Sequence, residues 1–214
     1  MKLRLIYFNF PFWRAEVSRI SLFIGGINFE DVRVTSDDFA FIKKNGKMKD
    51  GTLIPFRQLP VLVIDGESIA QTGSIARICG KLSGLYPKDD LILSGQIDQI
   101  IDYCTDINIL LRPSFKEQDP NVKKKLRQEL VDGELTQKLQ LLDLMIDKKL
   151  KWVVGQNMTI ADIALWRLMG WLQSGIIDHI PNDILRPFSN IKNVYNEVDC
   201  HPKVKEWVLK TYKN

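Results

Sequence analysis

The sequence predicts a small mixed α/β domain followed by an all-helical domain. Strand and helix patterns alternate up to about residue 84. Beyond Pro87, apolar residues recur at helical spacing and no strand pattern of comparable quality follows. The length of 214 residues allows one or two domains with a well-buried core. We therefore expect one domain over residues 1–84 and a second over residues 90–214.

The order of elements in the first domain is β-α-β, a polar loop, and then β-β-α. The predicted strands cover residues 3–7, 29–34, 59–64 and 68–70, and the predicted helices cover residues 14–24 and 74–81. Asp65-Gly66 separates the last two strands and is typical of a tight hairpin turn. This order predicts a mixed sheet with one antiparallel hairpin, for which a thioredoxin-like layer is the natural candidate.

The second domain is predicted to consist of helices separated by prolines. These helices cover residues 90–112, 121–147, 159–175, 189–199 and 202–212. The segment from Thr159 to Asp162 has the pattern of a capping box, in which each side chain accepts a hydrogen bond from the backbone of the other. We expect this segment to stabilise folding by about 1–2 kcal/mol and to play no part in chemistry.

Composition and charge exclude several classes of protein. Hydrophobic residues make up 45% and charged residues 26%, which is typical of a globular chain. No apolar run approaches the ~18 residues of a membrane span, and the N-terminus lacks the pattern of a signal peptide, so we expect a cytoplasmic protein with no membrane partner. The formal net charge of +4 comes from interspersed charges, which does not favour nucleic-acid binding.

The cysteines and histidines indicate neither a disulfide framework nor a metal site. Cys79, Cys104 and Cys200 are widely spaced and odd in number. His179 and His201 are the only histidines. This set fits neither paired cysteines nor the usual zinc spacings, so we expect no metal.

An aromatic segment follows the first predicted strand. Tyr7 ends that strand, where its hydroxyl could donate a hydrogen bond to an anion and lower the pKa of the acid that forms it; the alternative is a core tyrosine. Phe10, Phe12 and Trp13 follow within a short loop. They either pack under the interface of the two domains or line an apolar pocket.

Two further segments permit either a structural or a binding interpretation. Pro60 at the entry to a strand indicates an edge, a bend or a cis peptide bond. A bend there would leave the backbone groups of Leu59 available to a peptide-like ligand. Thr72, at the start of a predicted helix, is either a plain N-cap or part of a site for a carboxylate.

The order of these motifs resembles one family. The N-terminal half contains Tyr7-Phe8-Asn9, Arg14-Ala15-Glu16, Phe56 to Leu62 (FRQLPVL), Asp65-Gly66 and Gln71 to Arg77 (QTGSIAR). Together they closely resemble the N-terminal domain of the cytosolic glutathione transferases, of the tyrosine type and nearest to the sigma class. Residues 84–87 resemble the domain junction of that family and residues 155–162 its helix-6 capping segment. The resemblance thus covers nearly the whole chain.

The resemblance implies a role for each matching residue. Tyr7 would be the catalytic residue, whose hydroxyl donates to the sulfur of glutathione. Contacts to glutathione are implied for Phe8, Arg14, Phe39, Lys43, Gln58, Leu59, Pro60, Gln71, Thr72 and Asp106. The electrophile pocket would be formed by Phe10, Phe12, Trp13, Asn108 and Leu111 and completed by the helical domain. Asp106 would reach the partner's glutathione across a homodimer; its alternative is a solvated helix face.

The chain departs from the family pattern at two places. Pro11-Phe12-Trp13-Arg14 replaces the usual Arg-Gly-Arg and is one residue longer, so the resemblance implies a bulkier and more apolar loop. Phe39 stands where many relatives have a tryptophan that contacts the glycyl carboxylate. A lysine of the segment 43–49 could replace that contact, or these lysines could simply be solvated.

The implied activity is transfer of glutathione to small apolar electrophiles, with glutathione as cosubstrate. A glutathione-dependent isomerase or peroxidase using the same site is one alternative. A binding or structural relative without activity is another.

Overall fold

The computed structural model describes residues 1–212, which form two compact units. One unit contains Met1–Asp89 and the described residues from Lys203 onward, and the other contains Asp90–Pro202. We call them the N-terminal unit and the helical unit.

The N-terminal unit is built on a four-stranded mixed sheet. Its strands are β1 (Leu3–Phe8), β2 (Glu30–Val34), β3 (Val61–Ile64) and β4 (Glu67–Ala70), in the order β2-β1-β3-β4. β1 and β2 are parallel, and the other two pairings are antiparallel. Asp65 and Gly66 form the hairpin turn with φ of 49° and 97°, a conformation that favours glycine. The predicted thioredoxin-like layer is confirmed.

Helices cover both faces of this sheet. They are α1 (Glu16–Ile24), α2 (Ser36–Asn45) and α3 (Thr72–Ser83), with a 3-10 turn at Pro55–Arg57. Because side chains alternate along a strand, β1 contributes to two cores. Leu5 and Tyr7 pack with residues of α1 and α3. Ile6, on the opposite face, packs with Ile42 of α2.

Helix α2 lies where the sequence predicts a polar loop, so that prediction is wrong for residues 36–45. Its N-cap is Thr35, which forms a capping box with Asp38. This is the same signal that identified the helix after Thr159, but only Ile42 of the ten residues in α2 is buried. A helix with so narrow an apolar face shows little periodicity, so its sequence signals lie at its two ends, in the capping box at Thr35 and in the left-handed C-cap glycine Gly46.

The helical unit contains six helices within the described residues and no strand. They are α4 (Leu91–Leu110), α5 (Arg112–Lys116), α6 (Pro120–Asp132), α7 (Glu134–Met145), α8 (Ile160–Leu172) and α9 (Ser189–Asp199). The single helix predicted over residues 121–147 is instead divided at Gly133, whose φ of −130° and ψ of −110° are not helical. Across residues 1–212, no helix has the length and apolarity needed to cross a membrane.

The last helix, α10 (Pro202–Thr211), packs with the N-terminal unit. Its helical pattern by itself predicts that it belongs to the helical domain. The indole ring of Trp207 lies 5.3 Å from the ring of Phe23 in α1. The same indole donates a hydrogen bond to the buried carboxylate of Glu16. These contacts join α10 to α1.

Candidate active site

The strand register brings the predicted residues of the N-terminal unit to one end of the sheet. Ile6 in β1 is opposite Val61 in β3, and Val61 is opposite Ala70 in β4. Tyr7 follows Ile6, Leu59-Pro60 precedes Val61, and Gln71 follows Ala70. The sheet therefore gathers three segments that are far apart in sequence.

Tyr7 is held firmly at this end of the sheet. Its side chain is only 3% exposed and belongs to the core beneath α1 and α3. Its ring meets the ring of Phe8 edge to face at 5.3 Å. The guanidinium carbon of Arg19 lies 6.0 Å from the centroid of the Tyr7 ring. Close packing on several sides fixes the direction of the phenol.

The loop of residues 9–13, which we call the aromatic loop, connects β1 with the turn before α1. The rings of Phe10 and Trp13 lie 4.6 Å apart, and Phe10 is 46% exposed. Phe12 has a φ of 57°, a left-handed conformation that is rare for a bulky residue. The loop thus presents aromatic surface within the N-terminal unit.

Phe39 and Lys43 in α2 extend this aromatic surface. The ring of Phe39 meets the ring of Phe8 at 5.0 Å, edge to face. The ammonium nitrogen of Lys43 lies 5.1 Å from the centroid of the Phe39 ring, a geometry typical of a cation–π contact. The structure therefore brings a cation to the residue that stands in place of the family's tryptophan.

The peptide bond between Leu59 and Pro60 is cis. The sequence left this open beside two alternatives, an edge position and a bend. Pro60 is buried and Leu59 is half-buried, and β3 begins immediately afterwards at Val61. Gln58 is exposed and ends the 3-10 turn, where its N–H donates to the carbonyl of Pro55 at 3.4 Å.

The start of α3 has no side-chain cap. Gln71 occupies the N-cap position with φ 75° and ψ 122° and makes no capping hydrogen bond. Thr72 is the first helical residue, so the interpretation of Thr72 as an N-cap is wrong. Since the first N–H groups of a helix lack intrahelical partners and the helix dipole is positive there, this helix start suits a carboxylate.

Sequence reasoning missed a buried ionic cluster below Tyr7. Glu16 and Arg19 have fully buried side chains and are joined at 2.9 Å. Arg19 also pairs with Asp31 at 2.9 Å and donates to the carbonyl of Phe8 at 3.0 Å. Burial raises the pKa of the Glu16 carboxyl, and the Arg19 charge opposes that rise. The i to i+3 spacing of Glu16 and Arg19 was visible, but their burial was not.

The remaining candidates differ in their surroundings. Arg14 is half-buried at the end of the aromatic loop. In the helical unit Asp106 is exposed on α4, whereas Leu111 is fully buried. The Asn108 amide donates to the carbonyl of Cys104 at 2.7 Å and accepts from Arg167 at 3.1 Å. Leu111 has no exposed surface that a ligand could contact, and the Asn108 amide is hydrogen-bonded inside the helical unit. The electrophile pocket proposed below therefore includes neither residue.

Two of the three thiols, those of Cys79 and Cys104, are buried, and the third, of Cys200, is exposed. Burial raises the pKa of Cys79 and of Cys104 to about 12, so both stay protonated at neutral pH. Ser18 forms a hydrogen bond with Cys79. Residues 1–212 contain no group of three or more histidine, cysteine or acidic side chains that could hold a metal ion.

A thioredoxin-like unit followed by an all-helical unit is the fold of the glutathione transferases. Residues 3–77 match the family model described as "Glutathione S-transferase, N-terminal domain", and residues 105–211 match "Glutathione S-transferase, C-terminal domain". The chain therefore belongs to the glutathione S-transferase family, and the predicted resemblance to its sigma-like members is confirmed.

Relatives carry two kinds of name. The chain is 28% identical to "Glutathione S-transferase 1" of Ascaris suum over 98% of this chain and 97% of the relative. It is 29% identical to "Hematopoietic prostaglandin D synthase" of Gallus gallus over 98% and 96% of the two chains. The solved structure of prostaglandin synthase D of Nilaparvata lugens has a TM-score of 0.84 and 26% identity, covering 98% of each chain.

Proposed function

We propose that this enzyme activates the thiol of glutathione at Tyr7 and transfers glutathione to small apolar electrophiles. The observation that carries the proposal is the register of β1, β3 and β4, which gathers Tyr7, the cis Pro60 and the uncapped start of α3 at one end of the sheet. Family membership supplies the cosubstrate.

In this proposal the Tyr7 hydroxyl donates a hydrogen bond to the glutathione sulfur. A free thiol has a pKa near 8.5 and is only a few per cent ionised at neutral pH. A charge-assisted hydrogen bond that lowers this pKa by about 2 units makes the thiolate the major form at pH 7. The thiolate sulfur then forms a bond to the electrophilic carbon as the leaving group departs with its electron pair.

The rest of glutathione would be held along the same end of the sheet. The backbone of Leu59 would pair with the cysteinyl part, and Gln71 and Thr72 would bind the γ-glutamyl carboxylate at the start of α3. Lys43, supported by its contact with Phe39, would attract the glycyl carboxylate. Phe8, Arg14, Gln58 and Pro60 would complete this site, and Asp106 would act from the partner subunit.

The electrophile would contact the aromatic loop, where Phe10, Phe12 and Trp13 supply apolar surface. A second candidate activity is glutathione-dependent isomerisation, favoured by the relatives named prostaglandin D synthase. Conjugation of an aryl halide, isomerisation of a prostaglandin endoperoxide and reduction of an organic hydroperoxide, measured side by side, distinguish a transferase, an isomerase and a peroxidase. No turnover in any of the three would support a binding or structural role.

The deciding experiment is the pH–rate profile of Tyr7→Phe. This substitution removes the hydroxyl and preserves the ring, so we expect turnover at neutral pH to fall by roughly 10–100-fold, with part of the loss recovered at alkaline pH where the thiol ionises unaided. Tyr103→Phe is the matched control, since its hydroxyl donates to the carbonyl of Lys138 in the helical unit. A wild-type profile for Tyr7→Phe would assign activation to another donor, such as Arg14 or Ser18.

We also propose that the enzyme acts as a cytoplasmic homodimer, as its resemblance to dimeric relatives implies. The exposed position of Asp106 on α4 is compatible with a role across a subunit interface. Light scattering at micromolar concentration should give about twice the 24.7 kDa of one chain. A species of one chain mass would contradict both the dimer and the cross-subunit role of Asp106.

A further inference from the structure

Tyr212, which follows helix α10, contacts the aromatic loop directly. The Tyr212 hydroxyl donates to Oε1 of Glu16 at 2.5 Å and lies 3.3 Å from the carbonyl oxygen of Phe10. These partners are 196 and 202 residues away in sequence. One hydroxyl thus contacts both the start of α1 and the loop that precedes it.

Glu16 is the anchor for this contact. Its fully buried carboxylate accepts hydrogen bonds from Arg19, from Tyr212 and, at 3.1 Å, from the indole of Trp207. A buried carboxylate needs this set of donors, because losing one leaves part of its charge uncompensated. Tyr212 is therefore held by a charge-assisted hydrogen bond rather than by surface packing.

A second contact ties Tyr212 to the other side of the loop. The guanidinium carbon of Arg33 lies 5.4 Å from the centroid of the Tyr212 ring. Arg33 donates to the side chain of Asn9 and pairs with Asp31 at 2.6 Å. The ring and the hydroxyl of Tyr212 are thus connected to two successive loop residues, Asn9 through Arg33 and Phe10 directly.

We infer that Tyr212 is a positioning residue that sets the conformation of the aromatic loop and thereby the selectivity of the enzyme among electrophiles. The effect on selectivity rests on the proposed function, whereas the effect on the loop conformation does not. The Tyr212 hydroxyl contacts Glu16 and the carbonyl of Phe10, and neither residue is proposed to bind glutathione. It acts on the reaction through Phe10, whose ring contacts Trp13 at 4.6 Å.

The test compares Tyr212→Phe with two controls in the full-length chain. Tyr212→Phe removes the hydroxyl and preserves the ring over Arg33. Trp207→Phe removes the indole donor that α10 provides to Glu16 but leaves the contact of Tyr212 with Phe10. Tyr103→Phe removes a hydroxyl in the helical unit. KM and kcat are measured for glutathione, for a compact aryl halide and for a bulky aryl electrophile, with hydrogen exchange of residues 9–13.

For Tyr212→Phe we expect the KM of the bulky electrophile to rise about fivefold to tenfold, which corresponds to the loss of one neutral hydrogen bond such as the contact of the hydroxyl with the Phe10 carbonyl. The KM of glutathione should stay within twofold, and exchange in residues 9–13 should become faster. Trp207→Phe should lower the melting temperature without changing the ratio of the two electrophile KM values. Tyr103→Phe should change neither exchange nor selectivity.

Two results would overturn the inference. One is unchanged selectivity together with unchanged loop exchange in Tyr212→Phe. The other is an equal change in selectivity in Trp207→Phe, which would assign the effect to general docking of α10. If the wild-type protein turns over none of the electrophiles, the proposed function fails, and loop exchange still decides whether Tyr212 holds the loop.

Discussion

Helices α3 and α8 begin in opposite ways. At α8 the side chain of Asp162 accepts hydrogen bonds from the backbone N–H groups of Val153 and Thr159, both at 2.7 Å. Thr159 completes a capping box with it. At α3 the N-cap residue Gln71 has a positive φ and its side chain caps nothing. Side chains accept hydrogen bonds from the backbone N–H groups at the start of α8, whereas no side chain caps the start of α3.

The difference separates a start that serves folding from one that is suited to a ligand. Backbone donors at a helix start need acceptors, which a side chain, water or a bound anion can supply. Asp162 is fully buried, so an internal acceptor is required at α8. Gln71 is exposed, and its positive φ carries a conformational cost for a residue other than glycine.

The largest expected effect comes from removing the internal acceptor with Asp162→Ala. The donors at Val153, Thr159 and the Thr159 hydroxyl would lose their partner in a buried site. We expect the free energy of unfolding to fall by about 3–5 kcal/mol, with kcat and the KM for glutathione of the remaining folded enzyme unchanged. Urea unfolding followed by far-UV circular dichroism checks this. Unchanged stability would mean that α8 does not depend on its cap.

A pH-dependent effect of the same carboxyl should be the next largest. Burial raises its pKa to about 6, whereas in the unfolded chain it lies near 3.9. Between these values the folded state binds more protons, so the contribution of this group to stability falls as pH rises from about 4 to about 6. In Asp162→Asn this slope should vanish, a difference of about 2–3 kcal/mol over the window. Parallel pH–stability curves for the two proteins would contradict the assignment.

Thr72→Val should separate the two helix starts functionally. The substitution removes the hydroxyl at the start of α3 without changing the shape of the side chain much. We expect the KM for glutathione to rise about tenfold, as for one hydrogen bond to a charged group, while stability changes by less than about 0.5 kcal/mol. Steady-state kinetics with thermal melting measures both. A stability loss without a KM change would make the α3 start structural, like that of α8.

The smallest effect is expected for Gln71→Gly. Glycine adopts positive φ without strain, but it also makes the unfolded chain more flexible. We expect a net change in stability of no more than about 1 kcal/mol, accompanied by weaker glutathione binding because the side chain is lost. Isothermal titration with glutathione reports the affinity. Unchanged affinity would indicate that the Gln71 side chain does not contribute to glutathione binding.

Local signals determined the parts of this protein that the sequence predicted correctly. The hairpin at Asp65-Gly66, the strand entry at Pro60 and the capping box at Thr159 each depend on residues within a few positions of one another. The missed helix α2 carried the same kind of signal at Thr35 and Asp38. Short-range chemistry of this type is visible in a sequence because backbone geometry fixes which near neighbours can meet.

Tertiary structure decided which polar residues are buried and which distant segments meet. The sequence could not place Tyr212 against Glu16, because nothing local relates two residues 196 positions apart. It could not show that Asn108 and Leu111 are buried in the helical unit, or that α10 joins the N-terminal unit. Helical periodicity identifies an apolar face but not what that face packs against. Only the folded chain brings the donors together that a buried carboxylate such as Glu16 requires.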